Sequence, residues 1–173
     1  MSRKFLAAFV LPAVTALALS ACSTEADQNK ADHNEADVTF AQQMVPHHRQ
    51  AVEMSVPAPQ HTKNPQVLAL SGGIAKAQQP EIDQLTTWLK QWGAPDMAGM
   101  HHGMVDTGDL DTLRDAAYDR KWLTLMVEHH RGAIDMARTE LSQGANTDAK
   151  AMAQRIVDTQ QAEVDRMTAL LAA

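Results

Sequence analysis

The side chains best suited to chemistry occur as two copies of one pattern. His47-His48-Arg49 is followed 82 residues later by His129-His130-Arg131. A methionine stands three residues before the first histidine of each copy, Met44 and Met126, and another seven residues after it, Met54 and Met136. Farther on, each copy has a glutamate, Glu81 and Glu163. Imidazole, thioether and carboxylate are all metal ligands. Soft sulfur with imidazole favours copper, above all copper(I), over iron or manganese. Methionine also fills helical cores, so Met44 or Met54 taken alone carries no meaning.

A separate ligand set lies between the copies. Met97, Met100, His101, His102 and Met104 cluster in Met97-Ala-Gly-Met-His-His-Gly-Met104. A glycine-containing loop gives methionine no core to fill, and the set is soft and local, which points to copper. The competing reading is a loop folded back onto the end of the domain, or a short helix. His33 and His61 are isolated and receive no role beyond weak capture.

Helices must position these groups. Phe40, Met44, His47, Ala51 and Met54 recur at steps of four and three, which puts them on one face of a helix from about Asp37 to Ser55. The stretch from Val56 to Pro65 holds three prolines and reads as a loop. A second helix spans about Gln66 to Trp92, a third about Leu110 to Ser142 with a break expected near Ala117, and a fourth about Thr147 to Leu171. Asn146 and Thr147 are candidate caps for the last.

The 82-residue offset extends well beyond the histidines. It matches Asp37 with Asp119, Phe40 with Trp122, Ile74 with Ile156, Gln78-Gln79 with Gln160-Gln161, and Asp83 with Asp165. Apolar matches alone would be weak, but two polar motifs at one constant offset indicate an internal repeat. The expected fold is therefore all-α: a ferritin-like four-helix bundle built from two duplicated helical hairpins. The domain runs over 37–172, with halves of about 37–92 and 110–172 and the Met/His-rich linker 93–109 between them.

Such a bundle would bury His47, His129, Gln78, Glu81, Gln160 and Glu163 on its axis, with His48 and His130 about 100° further round. Burying polar groups costs several kcal/mol unless they are paired. One explanation is a hydrogen-bonded layer that fixes register. The other is a metal site. Di-iron carboxylate bundles use Glu-x-x-His on two helices and a single Glu on the others. Here Met44 and Met126 would replace the motif glutamates and soften the site. Pro46 and Pro80 each remove one helical hydrogen bond and favour a kink in the first half alone.

The start of the chain reads as a lipoprotein signal over residues 1–21. Arg3 and Lys4 precede an apolar run from Phe5 to Leu19, shorter than the roughly 20 residues of a span. Leu19-Ser20-Ala21-Cys22 resembles a lipobox, with Cys22 as the acylated residue. Residues 22–36 are expected to be a flexible tether to the membrane. Cys22 is the only cysteine, so its acylation would leave no thiol for disulfides or metal ligation. The formal charge of −6 becomes −8 once Arg3 and Lys4 are removed, which argues against nucleic acid.

The pattern Phe40-x-x-x-Met44-x-x-His47-His48-x-x-Ala51-x-x-Met54, Gln79-x-Glu81-Ile82 with Trp88-Leu89, Met126-x-x-His129-His130-x-Gly132-Ala133-Ile134-x-Met136 and Gln161-x-Glu163 resembles the domain-of-unknown-function 305 family. The likeness covers about Asp37 to Leu171, with Gln50 standing where the second half has Gly132. The resemblance implies a bacterial ferritin-like bundle, an extracytoplasmic location and, for some members, copper binding or tolerance. It implies no reaction. Three functions follow for comparison: an envelope lipoprotein that binds copper or another transition metal for sequestration or hand-over to envelope metal-handling proteins, a metal-dependent oxidoreductase, and a metal-free interaction module.

Overall fold

The computed structural model describes residues 32–97 and 104–173. Its helices are α1 (Glu35–Ser55), α2 (Ala58–His61), α3 (Pro65–Gln91), α4 (Asp115–Gln143) and α5 (Thr147–Ala172), with a 3-10 turn at Leu110–Thr112 before α4. No strand occurs among the described residues. The fold is the expected all-helical bundle of two hairpins, α1 with α3 and α4 with α5. The hairpins meet through α1 and α4, while α3 and α5 share no comparable contact.

Asparagines start three of the helices. Asn34 accepts from the backbone N–H of Ala36 and Asp37, and the Asp37 carboxylate accepts in return from Asn34 N, a reciprocal cap. Asn64 caps α3 with Pro65 at its first position, where a missing N–H costs nothing. Asn146 caps α5 and is the repeat mate of Asn64. Helix α1 thus begins before the expected Asp37. His33 stacks on Trp92 at 4.8 Å, and Asn146 donates to Asp32 O, so residues 32–36 belong to the packed domain. Cys22 and the rest of the expected signal and tether lie outside the described residues.

Two local readings need correction. The proline-rich connection contains a helical turn, α2, because Pro57 and Pro59 sit at its start, where no intrahelical donor is required. The interruption before α4 falls at Leu113 and Arg114, both extended, rather than near Ala117. Both α1 and α3 continue through Pro46 and Pro80.

The repeat is also exchanged between the halves. Asp37 at the start of α1 accepts from the backbone N–H of Ala145 and Asn146 in the α4–α5 turn. Its mate Asp119 accepts from the Asn64 side chain at the α2–α3 connection, at 2.8 Å. Each hairpin therefore satisfies polar groups at the turn of the other.

The apolar core is two clusters. One includes Met54, Leu70, Ile74, Tyr118, Trp122, Met126 and Met167. The other includes Phe40, Met44, Leu85, Trp88, Ala133, Met136 and Ile156. On α1, α3 and α5 the boundary between the clusters falls at polar residues: His47 and His48, Gln78 and Glu81, Gln160 and Glu163. On α4 His129 and His130 lie next to the boundary, with Ala133 of one cluster and Ile134 of the other just beyond them.

Candidate metal centre

The antiparallel crossing of α1 and α4 brings the two histidine doublets together at mid-bundle. All four rings are fully buried. His47 and His129 lie ring against ring, with centroids 3.6 Å apart and planes tilted by 33°. His129 donates through Nε2 to the main-chain oxygen of His47 at 2.8 Å. The neighbouring pair splay outward, each toward the glutamate of its own hairpin. His48 Nε2 is 3.0 Å from Glu81 Oε2, and His130 Nε2 is 2.8 Å from Glu163 Oε2. The glutamate side chains are 20 % and 28 % exposed, so they sit at the rim with the imidazoles behind them.

The sequence left open whether these groups form one ligand cluster. Among the described residues, no group of three or more His, Cys, Asp or Glu is placed to hold a metal ion. The carboxylates engage as hydrogen-bond acceptors instead, one per hairpin. An N–H donated from Nε2 fixes the tautomer and leaves the lone pair on Nδ1. The Nδ1 atoms of His48, His129 and His130 are buried and have no hydrogen-bond partner, as are the amide oxygens of Gln78 and Gln160. Burial, with the neighbouring His130 and His48 acting in the same direction, pushes His129 down to about 3, so it is neutral at ordinary pH. Neutral imidazole with an orphaned nitrogen is the form that ligates metal. The layer thus offers neutral imidazole nitrogens as available donors.

Met44 and Met126 are fully buried one turn from the histidines, one in each apolar cluster. Met54 and Met136 lie about two turns from the layer and pack with apolar side chains. Trp122 Nε1 donates to Met54 O at 3.0 Å. Of the linker ligands, Met97 is exposed and Met104 half-buried, while Met100, His101 and His102 lie outside the described residues. The linker ends are tied to α1: Gln42 donates to Pro95 O, Arg49 pairs with Asp96, and Gln50 clasps Val105 through both its amide atoms at 2.8 and 2.9 Å. Gln50, which stands where the second half has Gly132, thus holds the end of the linker.

One buried acid was missed. Glu140 on α4 is 1 % exposed, beside Asp37. Burial pushes its carboxyl up to about 8, helped by the hydrogen bond to Asp37 and its charge, against the pull of Lys150. Burial alone would raise Asp37, but hydrogen bonds from Asn34, Glu140, Asn146 and Ala145 hold it below its usual range. Glu140 therefore keeps its proton into the neutral range beside an ionised Asp37, at the junction of α1 with the α4–α5 turn. Its signal was present in the apolar face Ala133, Met136, Ala137, on which Glu140 continues the period.

Comparison with known proteins places this arrangement. A secreted protein of the same family from Streptomyces coelicolor is 33 % identical, with a TM-score of 0.73 over 79 % of this chain and 92 % of its own. A fragment from Deinococcus radiodurans is 28 % identical, with a TM-score of 0.73 over 80 % and 97 %. CopM in its Cu(II)-bound form is 29 % identical, with a TM-score of 0.71 over 79 % and 95 %. CopM has also been solved with Cu(I) and with silver. No curated protein matches significantly. The family described as Domain of unknown function (DUF305) matches residues 37–171, and the chain belongs to that family.

Proposed function

We propose that this protein is an extracytoplasmic, lipid-anchored copper-binding protein that sequesters the metal or passes it on, with its main site in the histidine layer. The observation that carries the reading is the set of buried Nδ1 atoms on His48, His129 and His130, each on a ring whose other nitrogen is already hydrogen-bonded. Carboxylates that orient ligand imidazoles are a recurrent feature of metal sites. His48 and His130 are the principal nitrogen ligands, with His47 and His129 beside them and the Met44 and Met126 thioethers above and below. Glu81 and Glu163 hold the tautomers. Met97, Met100, His101, His102 and Met104 form a more accessible capture tract, and Met54 and Met136 line the way along the core. The copper- and silver-bound states of CopM support the choice of metal. The secreted relative and the lipobox at Cys22 support the location.

The test is retention. Mature protein loaded with copper(I) and desalted should keep bound metal, and a His48→Ala/His130→Ala variant should lose most of what the core holds. Equal retention by that variant defeats the assignment. An oxidoreductase of the di-iron bundle type would need carboxylate ligands, and both layer glutamates are engaged with histidine; steady oxygen consumption by the metal-loaded protein would favour an oxidoreductase instead.

A further inference from the structure

The two hairpins leave a seam where α3 and α5 do not close on each other. Two clefts of about equal size open along it. One, of about 240 Å³, is lined by Ala69, Leu70, Gly73, Ala162, Glu163 and Arg166. The other, of about 230 Å³, is lined by Gln84, Trp88, Asp148, Ala151, Met152 and Arg155. The 82-residue offset relates them: Ala69 corresponds to Ala151, Leu70 to Met152, Gly73 to Arg155 and Arg166 to Gln84. The clefts are copies, yet they differ in what they reach. The first has Glu163 in its wall, and Glu163 holds the buried His130 at 2.8 Å. The walls of the second do not include Glu81. Where the second cleft carries the Arg155 side chain, the first has Gly73, and a Cβ added there would meet nothing within 4 Å. Gly73 thus leaves room in the cleft that Glu163 lines.

We propose that the cleft at Gly73 is the port through which a metal ion reaches the histidine layer, with the Glu163 carboxylate as the first group it meets and His130 directly behind. This rests on the copper reading above. His130 is fully buried, so an ion must pass Glu163, the part of the pair that solvent touches. Glu163 and Arg166 place opposite formal charges in the same wall, so the mouth carries no strong net field. That suits a monovalent or ligand-shielded ion better than a hydrated divalent one, which needs a surplus of negative charge to draw it in.

Gly73→Arg copies the mate cleft and should plug the port. Copper(I) supplied as its bicinchoninate complex would be transferred to wild type, Gly73→Ala, Gly73→Arg and Arg155→Gly while loss of the complex's colour is followed. Gly73→Arg should load at least about fivefold more slowly, with the same final copper content, as expected for an obstructed gate. Gly73→Ala and Arg155→Gly should load like wild type. A second measurement needs no metal: exchange of the imidazole C2–H in D2O, read by mass spectrometry, should slow at His130 in Gly73→Arg and stay unchanged at His48. Ala69→Gln, from the same wall, repeats both measurements if Gly73→Arg fails to fold. Copper retention at equal loading rates, or equal exchange at His130, overturns the port. Absence of copper retention in wild type overturns the copper reading instead, and the exchange measurement then still decides whether the cleft admits solvent to His130.

Discussion

His129 donates its Nε2 hydrogen to the main-chain oxygen of His47 at 2.8 Å, and the two are the same position of the repeat. A residue touching its own copy lies on the approximate two-fold axis between the hairpins. The layer is therefore assembled where the two halves meet, with each half contributing one His–Glu pair on either side of that contact.

The carboxylates act through the histidines. Glu163→Gln keeps the shape and an acceptor oxygen but removes the charge that favours an Nε2-protonated ring. Copper affinity should fall by about 10- to 100-fold, the usual effect of losing such an orienting partner. Tm should change little. Competition against a copper(I) chelator gives the affinity; an unchanged value would mean that Glu163 does not set the tautomer.

The proton that burial keeps on Glu140 makes stability depend on pH. Glu140 rises from an ordinary 4.5 to about 8 in the fold, so between these values the folded chain holds a proton that the unfolded chain has released. Stability from this group therefore declines as pH rises from about 5 to about 8. Asp37, lowered, works in the opposite sense and loses its contribution only as pH falls below its ordinary 3.8. Wild-type Tm should drop by several degrees from pH 5 to pH 8.5. Glu140→Gln, whose amide can still donate to Asp37, should be nearly flat over that range and more stable at its upper end. A parallel decline in both proteins would place the titrating group elsewhere.

Gly144 follows α4 with an ordinary backbone, φ −65°, so its lack of a side chain is a matter of space. An added Cβ would collide with the side chain and carbonyl of Glu140. Gly144→Ala should cost about 1–3 kcal/mol, the range for overpacking a filled site. Urea denaturation would measure it, and a change below about 0.5 kcal/mol, the level of a neutral surface substitution, would contradict the collision.

Gln50 should govern the linker more than the bundle. Gln50→Ala removes both bonds to Val105, leaving its N–H and C=O without those partners. Global stability should fall by about 1–3 kcal/mol. Hydrogen exchange at the Val105 amide should accelerate far more than in α4. Uniform acceleration would show that the clasp is no local anchor.

The helical bundle was legible in the periodic apolar faces, and the constant offset that preserves His-His-Arg and Gln-Gln-x-Glu is more than amphipathicity alone gives. Spacing also put the histidine doublets and the glutamates in one polar layer, without fixing which histidine of each doublet meets Glu81 or Glu163. It could not say whether the carboxylate ligates or accepts a hydrogen bond, since that depends on which ring nitrogen faces the rim. Helix α2 was hidden because proline reads as a breaker unless its place in the first turn is known. Asn64, the cap of α3, holds the place that Asn146 holds 82 residues later, and that offset is the signal that marks it. Glu140 looked like a helix end because its partner Asp37 is distant in sequence and meets it only through the crossing of α1 and α4.

The exchanged caps bear on how such a chain could arise and be taken apart. Asp37 serves the turn of the second hairpin and Asp119 the connection of the first, so a lone hairpin would leave these groups facing water. Two separate copies would recover every one of these partners only by pairing, at a concentration set by their affinity. Joining them makes that encounter intramolecular and independent of dilution. The joining segment is then released from any duty in the pairing itself and can evolve its own content, as the methionines and histidines between Met97 and Met104 illustrate.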